Sequence, residues 1–307
     1  MHEPDDDSSD DAFDESLRDD SFLLRIARTP SIGVHPDMLV GTVVAGRFRV
    51  EALAGKGGMG VVYRSIDETT GETIALKLLV GDPDGEVNQR FLREAAVLSS
   101  LTHSHIVRYL AHGQTSRKEP YLAMEWLDGE DLSARLTRGP LAVVESVALV
   151  SRVASALGTA HDRGMVHRDI KPHNLFLVDC DPTHVKVLDF GLARSAGGEQ
   201  RMTRTGTSIG TPAYMSPEQA RGVTAIDGRA DIFALGATFF ECLSGRPPFM
   251  AKDVSTLLGK VLFEEAPRIR ALREDVPEHV DHLVSRMLAK EPSARPRHDE
   301  VMSALAF

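Results

Sequence analysis

Cysteine is nearly absent, with Cys180 and Cys242 the only two among 307 residues. They lie far apart, and no Cys/His spacing suggests zinc. That excludes a disulfide framework and fits a reducing cytoplasm better than secretion. Long apolar runs are missing too: no stretch approaches the ~20 residues needed to span a bilayer. The start, Met1-His2-Glu3-Pro4, lacks the basic and apolar regions of a signal peptide. No basic stripe points to nucleic acid. Negative charge is plentiful but confined. Residues 1–20 hold ten acidic side chains and one arginine, hence nine of the chain's ten net negative charges. The total charge therefore says nothing about the folded body. The whole chain, 42% hydrophobic and 26% charged, is ordinary for a soluble globular protein of one large or two modest domains.

Residues 1–36, acidic and serine-rich, offer little to bury and are expected to be a disordered tail. Within them Phe22-Leu23-Leu24-Arg25-Ile26 is either a short docking segment or a few incidental apolar residues. From Arg47 the pattern turns β-like. Phe48–Leu53 alternates, glycines intervene, Val61-Val62-Tyr63-Arg64 resumes, and Thr73–Leu79 is a third strand after the turn at Glu68-Thr69-Thr70-Gly71. Residues 87–101 switch to helical period, with Phe91, Ala95, Leu98 and Leu101 on one face, joined there by Glu94. Ile106–Ala111 and Tyr121–Trp126 read as strands, and Asp128-Gly129-Glu130-Asp131 breaks the pattern. Helices are expected at 141–162, 229–243 and 279–289. Strands first and helices afterwards describe an α+β chain of two unlike lobes, a β-rich one over 37–127 with one key helix and a larger helical one over 128–307. No internal repeats are visible.

Gly55-Lys56-Gly57-Gly58-Met59-Gly60-Val61-Val62 fits G-x-G-x-x-G-x-V. Glycines let a backbone lie close against phosphates and present its N–H groups to them. A dinucleotide-binding loop would need a helix next, whereas Val61-Val62-Tyr63 continues as strand, so this loop caps a hairpin. Ala75 and Lys77 share a strand face: a small residue leaves room for a flat purine while the lysine reaches phosphates. A buried lysine would shed its proton unless paired, and Glu94 is the expected partner. Further on stands His167-Arg168-Asp169-Ile170-Lys171-Pro172-His173-Asn174, followed by Asp189-Phe190-Gly191 after the apolar run Val185–Leu188. Asp169 is placed to accept a hydroxyl proton, and Lys171 to offset charge on the transferring group. Asn174 and Asp189 are hard oxygen ligands suited to Mg²⁺ on the phosphates of ATP.

On these motifs the chain resembles the eukaryotic-like Ser/Thr protein kinases, most closely their bacterial branch, over residues 47–304. Gly57–Gly60 and Tyr214-Met215-Ser216-Pro217-Glu218-Gln219-Ala220-Arg221-Gly222 are the most bacterial-looking stretches. The resemblance implies the two-lobed kinase fold and an enzyme using ATP and Mg²⁺ to phosphorylate Ser/Thr on proteins, itself included, in trans. It makes Met124 the gatekeeper and gives adenine the backbones of Glu125 and Leu127. Val62, Ala75 and Phe176 would sandwich the purine, beside the loop from Ala54 through Lys56, Gly58 and Met59 to Val61. Leu98, Tyr109, His167 and Phe190 would form a spine between the lobes, Arg295 would pair with Glu218, and Asp231 would brace the catalytic loop. Thr211 would hydrogen-bond Asp169 and Lys171, favouring a short hydroxyl substrate. Thr207 would carry an activating phosphate held by Arg90, Arg168 and Arg194, with Thr203 and Thr205 as secondary sites. Two alternatives share the fold: a pseudokinase scaffold, which needs a lost catalytic group where none is lost, and a small-molecule phosphotransferase, which would lack the segment from Thr211 to Glu218.

Overall fold

The structure, a computed structural model, describes residues 39–57, 60–79, 92, 95–190 and 212–306. The acidic tail lies outside the described residues, as do Gly58, Met59, Arg90, Phe91, Glu94, Arg194, Thr203, Thr205, Thr207 and Thr211.

Six antiparallel strands form one sheet: β1 (Val43–Val44), β2 (Phe48–Gly57), β3 (Gly60–Asp67), β4 (Thr73–Leu79), β5 (Tyr109–Gln114) and β6 (Pro120–Glu125), in the order β1-β2-β3-β4-β6-β5. Side chains alternate between its faces. On one, Ile74, Leu76 and Leu78 of β4 pack with Phe48, Tyr63 and Ala123. On the other, Ala75 joins Val62, Leu122 and Met124 in a core that runs on into the rest of the molecule. Of the residues expected on one helix face, Ala95, Leu98 and Leu101 are buried, with helix described at 95–98.

Two expected features shift. The strand placed at Ile106–Ala111 begins at Tyr109 and runs to Gln114. Ile106 instead makes an isolated parallel bridge to Val187, with Val107 N–H donating to Val187 O and Val187 N–H to His105 O at 3.0 and 2.8 Å. An apolar pair that serves the other lobe thus mimicked a strand start. The supposed break at 128–131 contains a strand, β7 (Gly129–Asp131), which pairs with β8 (Leu175–Val178), itself paired with β9 (Val185–Val187). Gly129, at φ 140°, lets β7 approach β8: a Cβ there would sit 2.1 Å from Leu177 O.

Seven helices follow among the described residues: α1 (Leu132–Leu136), α2 (Val143–His161), α3 (Pro217–Ala220), α4 (Arg229–Ser244), α5 (Val254–Phe263), α6 (Glu278–Met287) and α7 (His298–Leu305). Asp131 caps α1 through its carboxylate on Ala134 N–H at 2.8 Å. α4 buries 13 of its 16 residues, so it is apolar all round and is the axis of this lobe. Contrary to expectation, α2 is long and apolar enough by length and composition to cross a membrane. It is packed against α4 and α7 with ten of its residues buried, as a core helix is.

Candidate active site

The glycine loop is the tip of the β2–β3 hairpin, where Gly57 faces Gly60, Lys56 faces Val61 and Gly55 faces Val62. Gly60 has φ 145°, and a Cβ on it would lie 1.9 Å from Leu78 O. No larger residue fits. Beneath the loop, Ala54, Val62, Ala75, Met124, Leu127 and Phe176 are all buried in the same apolar cluster, drawn from five strands and the connector after β6. Glu125 N–H donates to Arg108 O at 3.0 Å, leaving its carbonyl as the backbone group it could offer a purine. Its side chain accepts from Arg108 N–H at 2.8 Å and from the Lys186 ammonium on β9.

Lys77 is completely buried, and its Nζ donates to Asp189 Oδ1 at 2.8 Å. A buried ammonium without a counter-charge would be costly, so this pair closes the cleft floor. Asp189 adopts φ 54°, a left-handed conformation uncommon outside glycine. Strain of this kind clusters at working sites.

The segment 167–171 is fixed from below. Asp231, fully buried on α4, accepts from His167 N–H (2.8 Å), Arg168 N–H (2.7 Å) and His161 Nε2 (2.8 Å). His167 Nδ1 accepts from Asp169 N–H at 3.3 Å, which assigns the proton to Nε2, the donor to Leu188 O at 2.8 Å. Arg168 is left-handed at φ 68°, and its Nε is buried with no acceptor among the described residues. These anchors aim Asp169, whose side chain is 37% exposed. Lys171 Nζ donates to both its oxygens (2.9 and 2.8 Å), and Asn174 Nδ2 to Oδ2 (3.0 Å) and the backbone carbonyl (2.6 Å).

Asn174 O accepts from Leu188 N–H at 2.9 Å, next to Asp189. Lys77 is thus bonded to Asp189, and Lys171 and Asn174 to Asp169; the Leu188 N–H bond to Asn174 O sets the two groups side by side. With Asn174 Nδ2 turned to Asp169 and Asp189 Oδ1 to Lys77, Asn174 Oδ1 and Asp189 Oδ2 are left as hard ligands. No group of three His, Cys, Asp or Glu that could hold a metal occurs among the described residues. Two oxygens fit Mg²⁺, which takes one or two protein ligands and completes its shell with phosphates and water.

Leu98, Tyr109, His167 and Phe190 are all buried, and the His167 and Phe190 rings lie 4.6 Å apart. Burial pushes the Tyr109 phenol far above its ordinary range. Below the site, Glu218 and Arg295 form the expected pair at 2.6 and 2.8 Å. Arg295 donates further to Ala289, Arg229 and Lys290 carbonyls, so all five of its N–H groups are used. Burial raises the Glu218 carboxyl, but the Arg295 hydrogen bonds and charge, a backbone N–H and Ser216 together outweigh it and hold that carboxyl below the usual range.

Sequence reasoning missed three residues. His161 gave only a helical position. Lys186 gave only a place in the apolar run Val185–Leu188. Gln219 was legible in part, because Ser216-x-x-Gln219 is a capping-box spacing, but its longer-range bond was not.

Residues 48–306 match the protein kinase domain family. Among curated proteins, the chain is 38% identical over 287 residues to the serine/threonine-protein kinase pkn3 of Myxococcus xanthus, covering 90% of this chain and 52% of that one. It is 40% identical over 263 residues to Pkn1 of the same organism, covering 84% and 37%. The chain thus spans about half or less of these relatives' length. Among solved structures, Rad53 1–466 in complex with AMP-PNP is similar with a TM-score of 0.68, 24% identity, and coverage of 83% of this chain and 64% of that one, a likeness of fold.

Proposed function

Since this chain belongs to the protein kinase domain family, we propose that it transfers the γ-phosphoryl of ATP to Ser and Thr hydroxyls of protein substrates. The observation that carries this is the Lys77–Asp189 pair set beside the Asn174–Asp169–Lys171 cluster by the Leu188 N–H bond to Asn174 O. The relatives' names and the AMP-PNP held by the similar solved structure support it. ATP lies under the glycine loop, its purine between Val62, Ala75 and Phe176 and its phosphates at Lys77. Asn174 and Asp189 hold Mg²⁺, which when bound neutralises phosphate charge. Asp169 takes the hydroxyl proton as the oxygen attacks the γ-phosphorus and the bond to the β-phosphate oxygen breaks. Thr211 and Lys171 keep the acceptor site shallow. We place residues 37–127 and 128–307 as the two lobes, working in the cytoplasm.

Regulation rests on the unmatched Arg168. A buried guanidinium N–H without an acceptor among the described residues suits an anion, and a phosphate on Thr207 carries about −2 charge with acceptors for it. Arg90 and Arg194 would complete the clamp, with Thr203 and Thr205 as lesser sites. Phosphorylation then proceeds between two copies of the chain in a transient dimer.

The test is incubation with γ-labelled ATP, Mg²⁺ and a generic protein substrate, followed by identification of the labelled residues. Label on Ser and Thr is expected, and none with Asp169→Asn. Label only on small molecules, or none at all, would sink the proposal. Thr207→Ala should match phosphatase-treated wild type in reduced activity; full activity in both removes the switch.

A further inference from the structure

Gln219 sits on the one-turn helix α3, and its side-chain amide joins two distant segments. Its Oε1 accepts from Ser216 N–H at 3.0 Å and Ser216 Oγ at 3.1 Å, closing a capping box. Its Nε2 donates to the carbonyl of Arg168 at 2.8 Å, across 51 positions of sequence. The amide can be oriented only this way: Ser216 N–H needs an oxygen and the Arg168 carbonyl needs a donor.

That carbonyl belongs to the peptide linking Arg168 to Asp169. Arg168 is left-handed at φ 68°, so its conformation has to be imposed. Asp231 holds the N–H side at 2.7 Å; on the other side Gln219 holds the carbonyl oxygen, while the Asp169 N–H of the same peptide donates to His167 Nδ1 at 3.3 Å. The two anchors differ in origin. Asp231 belongs to the buried axis helix α4, a fixed part of the lobe. Gln219 comes soon after Tyr214 and Met215, which face the same space as Asp169 and Lys171.

We infer that Gln219 is a positioning residue, tying the segment 212–219 to the peptide plane that aims Asp169. The inference rests on the proposed transfer reaction, in which Asp169 takes the proton. A small cavity of about 40 Å³ lined by Arg168, Asp169, Tyr214 and Gln219 adjoins the bond, room enough for a water. Truncation to alanine would let water replace the donor, so it is a blunt probe. Gln219→Glu is sharper: a carboxylate still accepts from Ser216 and keeps the capping box, yet cannot donate to Arg168. Gln219→Met, neutral and of similar size, separates a lost bond from an added charge.

Wild type and both variants are compared for thermal midpoint, KM for ATP and kcat. Gln219→Glu should melt within about 2 °C of wild type and keep KM for ATP within about twofold, while kcat falls ~10–100-fold, the scale of a misaligned catalytic group. Lowering the pH toward the glutamate's own range, near 4.3, should narrow the deficit relative to wild type, because a protonated carboxyl donates again. Gln219→Met should lose kcat similarly with no such pH recovery. Should Gln219→Glu fail to fold, Gln219→Met alone decides. Wild-type kcat in the folded variants overturns the inference. So does a fall in melting temperature with unchanged kcat per folded molecule, which marks a merely structural cap. An inactive wild type would instead defeat the transfer reading, and this inference with it.

Discussion

The cleft floor and the base of the helical lobe each hold one buried ion pair, and the two are finished differently. Lys77 and Arg295 are both fully buried, and their carboxylate partners, Asp189 and Glu218, are 16% and 12% exposed. Arg295 spends all five N–H groups on fixed protein acceptors. Asp189 keeps an oxygen in hand and holds a strained backbone. Satisfaction is what distinguishes a structural charge from a working one: the first has no capacity left for a ligand, while the second is completed only by one.

The largest effect that sharpens this contrast is Lys77→Met. Removing the cleft cation should lower kcat ~10²–10³-fold, the usual scale for one electrostatic donor at a reacting centre, with little change in melting. Retention of more than a few per cent of activity in steady-state assays would assign the lysine to packing instead.

Glu218→Gln should do the reverse. Removing one partner of a buried pair costs ~3–5 kcal/mol, lowering the melting midpoint by about 10 °C at the ~2–4 °C per kcal/mol expected for this size. Activity per folded molecule at low temperature should survive. The pair also predicts a pH dependence. Because the folded Glu218 carboxyl lies below its ordinary value, its contribution is present above the unfolded value near 4.3 and is lost as pH falls through the folded one. Denaturation followed from pH 6 to 3 should therefore show a shallower acid limb in Glu218→Gln. Parallel limbs in both proteins would mean that other carboxylates govern acid unfolding.

Deleting residues 1–36 should have the smallest effect, since it removes no member of either pair. Attraction from the tail is largely screened beyond ~8 Å at physiological salt, so activity on a neutral peptide should stay within about twofold. A larger loss, measured as kcat/KM, would give Phe22–Ile26 a docking role.

The chemistry of the site was legible because its residues are close in sequence and chemically unusual. Asp169, Lys171 and Asn174 fall within six positions, and Asp189 follows an apolar strand. Long helices were legible too, since α2, α4 and α6 begin and end within two residues of the spans expected. Sheet edges were not. β5 pairs on one side only and carries His112 and Gln114, so its pattern is weak, while Ile106 and Val107 looked like a strand because they serve another one. β7 was hidden because its glycine reads as a breaker, although that glycine is what lets the two backbones meet. Hydrogen bonds across the fold, such as Gln219 to Arg168, leave no periodicity to read.

The parallel bridge from Ile106 to Val187 has a consequence in time. His105 Nδ1 meets Val185 O at 3.0 Å across 80 positions of sequence, and beside it Val187 accepts from Val107 N–H and donates to His105 O. A chain emerging from a ribosome at ~5–20 residues per second has therefore finished its six-stranded sheet, at Glu125, ~3–12 s before the segment that latches onto residues 105–107 exists. During that interval the cleft-side face, with Val62, Ala75 and Met124, stands open. The first lobe must hold its shape unaided, or be sheltered, until β9 arrives.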